Sequence, residues 1–142
     1  MNGPGLTRRV VLGAGLAALA LPRAGRAAER RLTAGPVTAQ ILPEGDGTTA
    51  MLGLNGTTPG PELRLRQGEV LDLVFENRTG AASALHWHGI RIDNAMDGVP
   101  GLTQPVVEDG AEFRYRFAAP DAGTFWYHSH NRSWEQVERG LY

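Results

Sequence analysis

Cysteine is absent from all 142 residues, which excludes a disulfide framework, a zinc–thiolate site and a cysteine nucleophile. Lysine is absent as well: all fourteen basic residues are arginine, a compositional bias with no chemistry of its own. Aromatic residues make up only 7% of the chain, and there are only four histidines. No apolar run approaches the roughly 20 residues that a membrane-crossing helix needs, so no membrane span is expected. The formal net charge is −1, and without residues 1–27 the remainder is mildly acidic, which makes a poor nucleic-acid binder. Chain breakers, by contrast, are plentiful. Nineteen glycines and nine prolines punctuate the sequence at short intervals, which points to an all-β sandwich or barrel. With 42% hydrophobic residues, 142 residues suffice for one domain with a real core.

The N-terminus differs from the rest. Arg8-Arg9 precede V-V-L-G-A-G-L-A-A-L-A-L, which ends at Leu21 and is followed by Pro22 and small residues. A charged start, a short apolar middle and a small-residue end form a secretory signal, and the arginine pair suggests the twin-arginine route. Residues 1–27 are therefore expected to be removed after Ala27. Losing Arg8, Arg9, Arg23 and Arg26, with no acid among them, leaves residues 28–142 more acidic.

Period-two alternation dominates that remainder. In E-V-L-D-L-V-F-E, Leu71, Leu73 and Phe75 share one face while Asp72 and Glu76 share the other. In A-E-F-R-Y-R-F-A, Phe113, Tyr115 and Phe117 alternate with Arg114 and Arg116, the pattern of a half-buried strand. Shorter strands are predicted at 38–42, 50–54, 62–66, 84–88 and 124–128, and a short helix over 133–139. Turns fall at Asn55–Pro61, Arg66–Gly68, Asp97-Gly98 and Ala119–Gly123. Together these elements predict a Greek-key β-sandwich.

All four histidines fall in two H-x-H pairs, L-H-W-H-G at Leu85–Gly89 and Y-H-S-H-N at Tyr127–Asn131. On a strand, residues i and i+2 share a face with Cα atoms about 6.5 Å apart. Two such pairs on neighbouring strands gather four imidazoles into one patch, and chance is a weak competitor for that pattern. Imidazole suits zinc, copper, iron and nickel alike, so spacing alone predicts a metal site without choosing the metal. Met51 and Met96 read as core residues rather than ligands, and Trp87 and Trp126 as packing residues. Gly89 and Gly98 read as positions set by backbone geometry.

H-W-H-G followed by F-W-Y-H-S-H resembles the first cupredoxin domain of the multicopper oxidases, the laccase and cuprous-oxidase group. N-G-T-T-P-G-P-E-L, H-G-I-R-I-D-N-A-M-D-G-V-P and Q-P-V-V-E support the resemblance, which covers roughly Ala34 to Tyr142. It implies a cupredoxin-like fold over 28–142, copper as cofactor and oxygen as electron acceptor. In the family, eight histidines in four pairs hold a three-copper cluster, two pairs from the first domain and two from the last. By motif position, His86 corresponds to a type 2 copper ligand, and His88, His128 and His130 to ligands of the type 3 pair. An acid in the loop after the first pair is thought to help move protons to oxygen; here it is Asp97, which otherwise reads as an Asp-Gly turn. Family members in bacteria commonly carry twin-arginine signals, in line with periplasmic or secreted export.

The family's type 1 copper needs a cysteine and two further histidines, and four more cluster histidines come from another domain. None of these is in the chain. The expectation is an N-terminal part of an oxidase, one strand short of a complete domain, with a C-terminal cupredoxin domain of the same polypeptide as partner and no turnover alone. The competing expectation is a stand-alone exported copper-binding module without enzyme activity. The reducing substrate is selected near a type 1 site that lies outside this sequence.

Overall fold

The computed structural model describes residues 29–142, and the predicted signal over 1–27 lies outside the described residues. Alternating side chains build a four-stranded sheet from β1 (Arg30–Ala39), β2 (Thr49–Leu54), β3 (Val70–Asn77) and β5 (Glu112–Ala118), in the order β2-β1-β3-β5. The parallel pairing of β1 with β3 is the exception in an otherwise antiparallel arrangement. A second, two-stranded sheet pairs β4 (Leu85–His88) with β6 (Trp126–Ser129). A 3-10 turn at Asn94–Met96 and a four-residue helix α1 (Ser133–Gln136) complete the regular structure. The all-β, cupredoxin-like expectation holds.

The core lies between the two sheets. Leu32, Leu71, Leu73, Phe75, Tyr115 and Phe117 from the larger sheet meet Leu85 and Trp87 from the smaller one. Trp87 stands edge-on to Tyr115 and Phe117, with ring centroids 5.4 and 5.3 Å away, the geometry the aromatic quadrupole favours. Tyr115 also accepts a hydrogen bond from the Leu85 amide at 3.2 Å, so the larger sheet directly holds the first residue of β4. Burial pushes the Tyr115 phenol up to about 12, keeping it a neutral hydroxyl there.

The polar face of β3 is more covered than alternation suggests. Asp72 is only 4% exposed, because Arg114 from the adjacent strand lies over it in a bidentate pair at 2.7 and 2.9 Å. Long arginine stems shield apolar surface while their charges stay in water.

Two strand expectations change. The first strand runs over Arg30–Ala39 rather than 38–42, because Leu32 and Ala34 enter the core and β3 pairs with Arg30–Ala34. Beyond it the Gln40 carboxamide donates to the carbonyls of Leu42, Pro43 and Gly47, which closes a turn and leaves Ile41 and Leu42 exposed. The segment 62–66 keeps strand-like alternation, Leu63 and Leu65 half-buried between exposed Glu62 and Arg64, yet belongs to neither sheet. It borders a groove of about 890 Å³ that is also lined by Leu71, Trp87, Phe117 and residues 121–127. Alternation is a property of the segment itself, whereas a ladder also needs backbone bonding to a second strand, and 62–66 is paired with none of the named strands.

Candidate metal centre

The register of the small sheet sets the site. Leu85 faces Ser129, His86 faces His128, Trp87 faces Tyr127 and His88 faces Trp126. Because side chains alternate, Leu85 and Trp87 point into the core, which leaves His86, His88, Trp126 and His128 together on the other face. His130 lies just past the end of β6, where its amide donates to the Ala84 carbonyl at 3.0 Å.

Ligand atoms of His86, His88 and His128 all lie within 4.8 Å of one another. The His130 ring packs against His86, with centroids 5.1 Å apart, and lies 6.1 Å from His128. All four predicted ligands are thus neighbours, with three in the tightest group. His88 is exposed and His128 buried, so the patch opens at one end.

Backbone carbonyls fix two of the rings. His86 Nδ1 lies 2.6 Å from the carbonyl oxygen of Asp97, and His128 Nδ1 lies 2.9 Å from the carbonyl of Ser129. A carbonyl only accepts, so each Nδ1 carries the proton and each Nε2 presents a lone pair. His88 turns the other way: its Nδ1 is 3.1 Å from His128 Nε2. Two nitrogens bound to one ion at about 2.0–2.1 Å lie about 3 Å apart when cis, so this spacing suits a shared metal. The donor set is entirely imidazole nitrogen, and His86 and His128 have the outer carbonyl partners usual for metal-bound histidine.

Asp97 follows the 3-10 turn, where the Asp93 side chain accepts from the Ala95 amide. Its backbone does what the sequence could not announce, holding His86 through the carbonyl. Its carboxylate lies 3.5 Å from the same Nδ1 and is 30% exposed, so it stands behind the ligand and remains open to water. Carbonyl contacts of this kind have no residue-type signature. The loop reaches β4 through Gly98, whose positive φ of 81° matches the geometric role expected of it. Gly89, at φ 80°, ends β4 in the same way.

The tryptophans divide. Trp87 is a core residue, as expected. Trp126 is 46% exposed and packs on the histidines instead, stacked on His128 at 4.0 Å and tilted against His88 at 5.1 Å. Met96 packs against the core and its sulfur accepts from the Arg116 amide at 3.3 Å, in keeping with a structural reading.

The His128 imidazole is held below its ordinary value, chiefly by burial and further by His86, His88 and His130, while the Ser129 carbonyl pulls the other way. A lowered folded value means that the unfolded chain takes up this proton first. The stability it contributes is whole above about pH 6.5 and is lost as pH falls through the lowered folded value. Urea midpoints of the metal-free chain should therefore hold from about pH 8 to 6.5 and drop from there toward about pH 5, and His128→Gln should flatten that decline. An equally steep decline in the variant would assign it to other groups.

A cupredoxin-like sandwich with a histidine-lined face between two short strands is the class these features define. The chain belongs to the multicopper oxidase family, whose model matches residues 37–142. Copper resistance protein A of Pseudomonas syringae pv. tomato is 47% identical over 94 residues, 66% of this chain and 15% of that protein. The crystal structure of Lac15 from a marine microbial metagenome matches at 71% identity with a TM-score of 0.76, over 80% of this chain and 31% of that one. A multi-copper oxidase from Pseudomonas thermotolerans matches at 43% identity and a TM-score of 0.76, over 80% and 27%. The chain thus spans less than a third of the length of each of these relatives. Among the described residues no helix is long and apolar enough to cross a membrane.

Proposed function

We propose that this chain supplies half of the histidine ligands of a three-copper centre that reduces oxygen to water in an exported multicopper oxidase. The observation that carries this reading is the convergence of His86, His88 and His128 ligand atoms within 4.8 Å on one face of the small sheet. His86 serves the type 2 copper, and His88, His128 and His130 serve the type 3 pair. The remaining ligands come from a C-terminal cupredoxin domain of the same polypeptide. Imidazole donors accept several metals, and the family favours copper among them.

Copper, when bound, supplies the one-electron chemistry that imidazoles and carboxylates lack. The chain's own residues hold it and manage protons. The Asp97 and Ser129 carbonyls keep the Nδ1 protons of His86 and His128 in place, so that both rings present Nε2. Trp126 covers one side of His128 and limits its rotation. The Asp97 carboxylate is a proton-exchanging group beside His86 with access to water. The signal-like residues 1–27 support delivery to the periplasm or the exterior.

Copper titration of the full chain, followed by electron paramagnetic resonance, tests the reading. Copper should bind, and His86→Ala combined with His128→Ala should weaken binding by about tenfold or more, since loss of even an outer partner costs 10–100-fold. Binding that ignores both replacements would place the metal elsewhere and overturn the proposal.

A further inference from the structure

We propose that Gln136 is a positioning residue that locks the two histidine-bearing strands in register; the proposal rests on the metal-centre reading for its purpose but not for its geometry. The carboxamide of Gln136 is almost fully buried, at 3% exposure, beneath the small sheet. Its Oε1 accepts from the Ser83 hydroxyl at 2.8 Å and from the Ser129 hydroxyl at 2.5 Å, which uses both lone pairs. Its Nε2 donates to the Ala82 carbonyl at 2.9 Å, and the Asn131 side chain donates to the same carbonyl at 2.6 Å.

These partners sit beside the ligands. Ser129 lies between His128 and His130, and Ala82 and Ser83 lead directly into β4 and His86. One side chain therefore ties the entry of the first ligand strand to the middle of the second pair.

The small sheet needs such a tie. A two-stranded pair of four residues each resists slippage weakly. No hairpin turn joins β4 to β6, because β5 and its loops intervene in the chain, so turn geometry cannot fix the register. A one-residue slip would turn every ligand of one strand to the core face, and a two-residue slip would pair His86 with Trp126 or His130. The four-residue helix α1 is too short to persist alone, so Gln136 helps to seat it. It does so beside the bonds that the Leu52 amide and the Thr58 hydroxyl make to the carbonyls of Arg139 and Gly140 just after the helix.

The decisive variant is Gln136→Met in the full chain, which keeps length and bulk but removes every polar atom. Leu32→Ala, in the core of the larger sheet, is the control that lowers global stability without touching these contacts. Hydrogen exchange reads the His130 amide, bonded across the strands to Ala84, against the amides of β3. Gln136→Met should speed exchange at His130 at least tenfold more than in β3, whereas Leu32→Ala should speed both alike. Cupric paramagnetic resonance should resolve several species in Gln136→Met and a single one in wild type and Leu32→Ala. Exchange at His130 that merely follows β3 in Gln136→Met, or an unaltered cupric spectrum, would overturn the proposal. If the wild type binds no copper, the metal-centre reading falls, and the exchange measurement still decides whether Gln136 holds the strands.

Discussion

On the proposed function, Asp97→Asn, introduced into an oxidase that carries this chain, is expected to leave copper content unchanged and to slow oxygen consumption by about 10²-fold, the lower range of a lost general acid. The structure separates two roles in this one residue. The backbone carbonyl fixes His86 at 2.6 Å, and asparagine keeps that carbonyl and the shape of the side chain. Only the ionisable carboxylate, 3.5 Å from His86 Nδ1, is lost. Reducing oxygen to water consumes four protons for four electrons, while the proposed centre commits the four histidines of this chain as donors. The carboxylate at 30% exposure can exchange protons with solvent, which a buried group could not do quickly. Copper stoichiometry and oxygen-electrode rates, compared in wild type and variant, decide the matter. A full rate with full copper would reduce Asp97 to its carbonyl and its turn.

Side-chain information was the legible part of this chain. The alternation of Leu71, Leu73 and Phe75 against Tyr115 and Phe117 predicts β3 and β5, and both form with those residues inward. The two H-x-H pairs predict a shared face, and the register pairs His86 with His128. What stayed hidden depends on partners distant in sequence. Arg30–Ala34 carries little alternation signal of its own, yet pairs in parallel with β3. Leu63 and Leu65 alternate convincingly, yet their segment is paired with none of the named strands. The carbonyls that set the ring tautomers are common to all residues, so no motif marks Asp97 or Ser129 for that task. Gln136 looks like one more polar residue in a short helix until Ser83 and Ser129 are brought beside it.

Gly98→Ala is the change expected to damage fold and site together. A Cβ there would lie 1.8 Å from the Leu85 carbonyl oxygen and 3.0 Å from the His86 Cα, both backbone atoms of β4 that cannot rotate aside. The residue also sits at φ +81°, where an L side chain costs about 1–2 kcal/mol before any clash. The loop must move off the strand, for a total loss on the order of 2–4 kcal/mol and a melting point lower by roughly 10 °C. Moving the loop also withdraws the Asp97 carbonyl from His86 Nδ1, so copper affinity should fall by about 10–100-fold, the usual cost of losing an outer partner. Gly101 provides the control, because its φ of +76° is similar but nothing lies within 4 Å of its Cβ position. Gly101→Ala should therefore cost only the backbone term of about 1–2 kcal/mol and leave copper affinity alone. Thermal melts and copper titrations of both variants give the comparison. Equal losses in the two would mean that the approach of Gly98 to β4 contributes nothing beyond its dihedral angle, and that His86 keeps its orientation by some other contact.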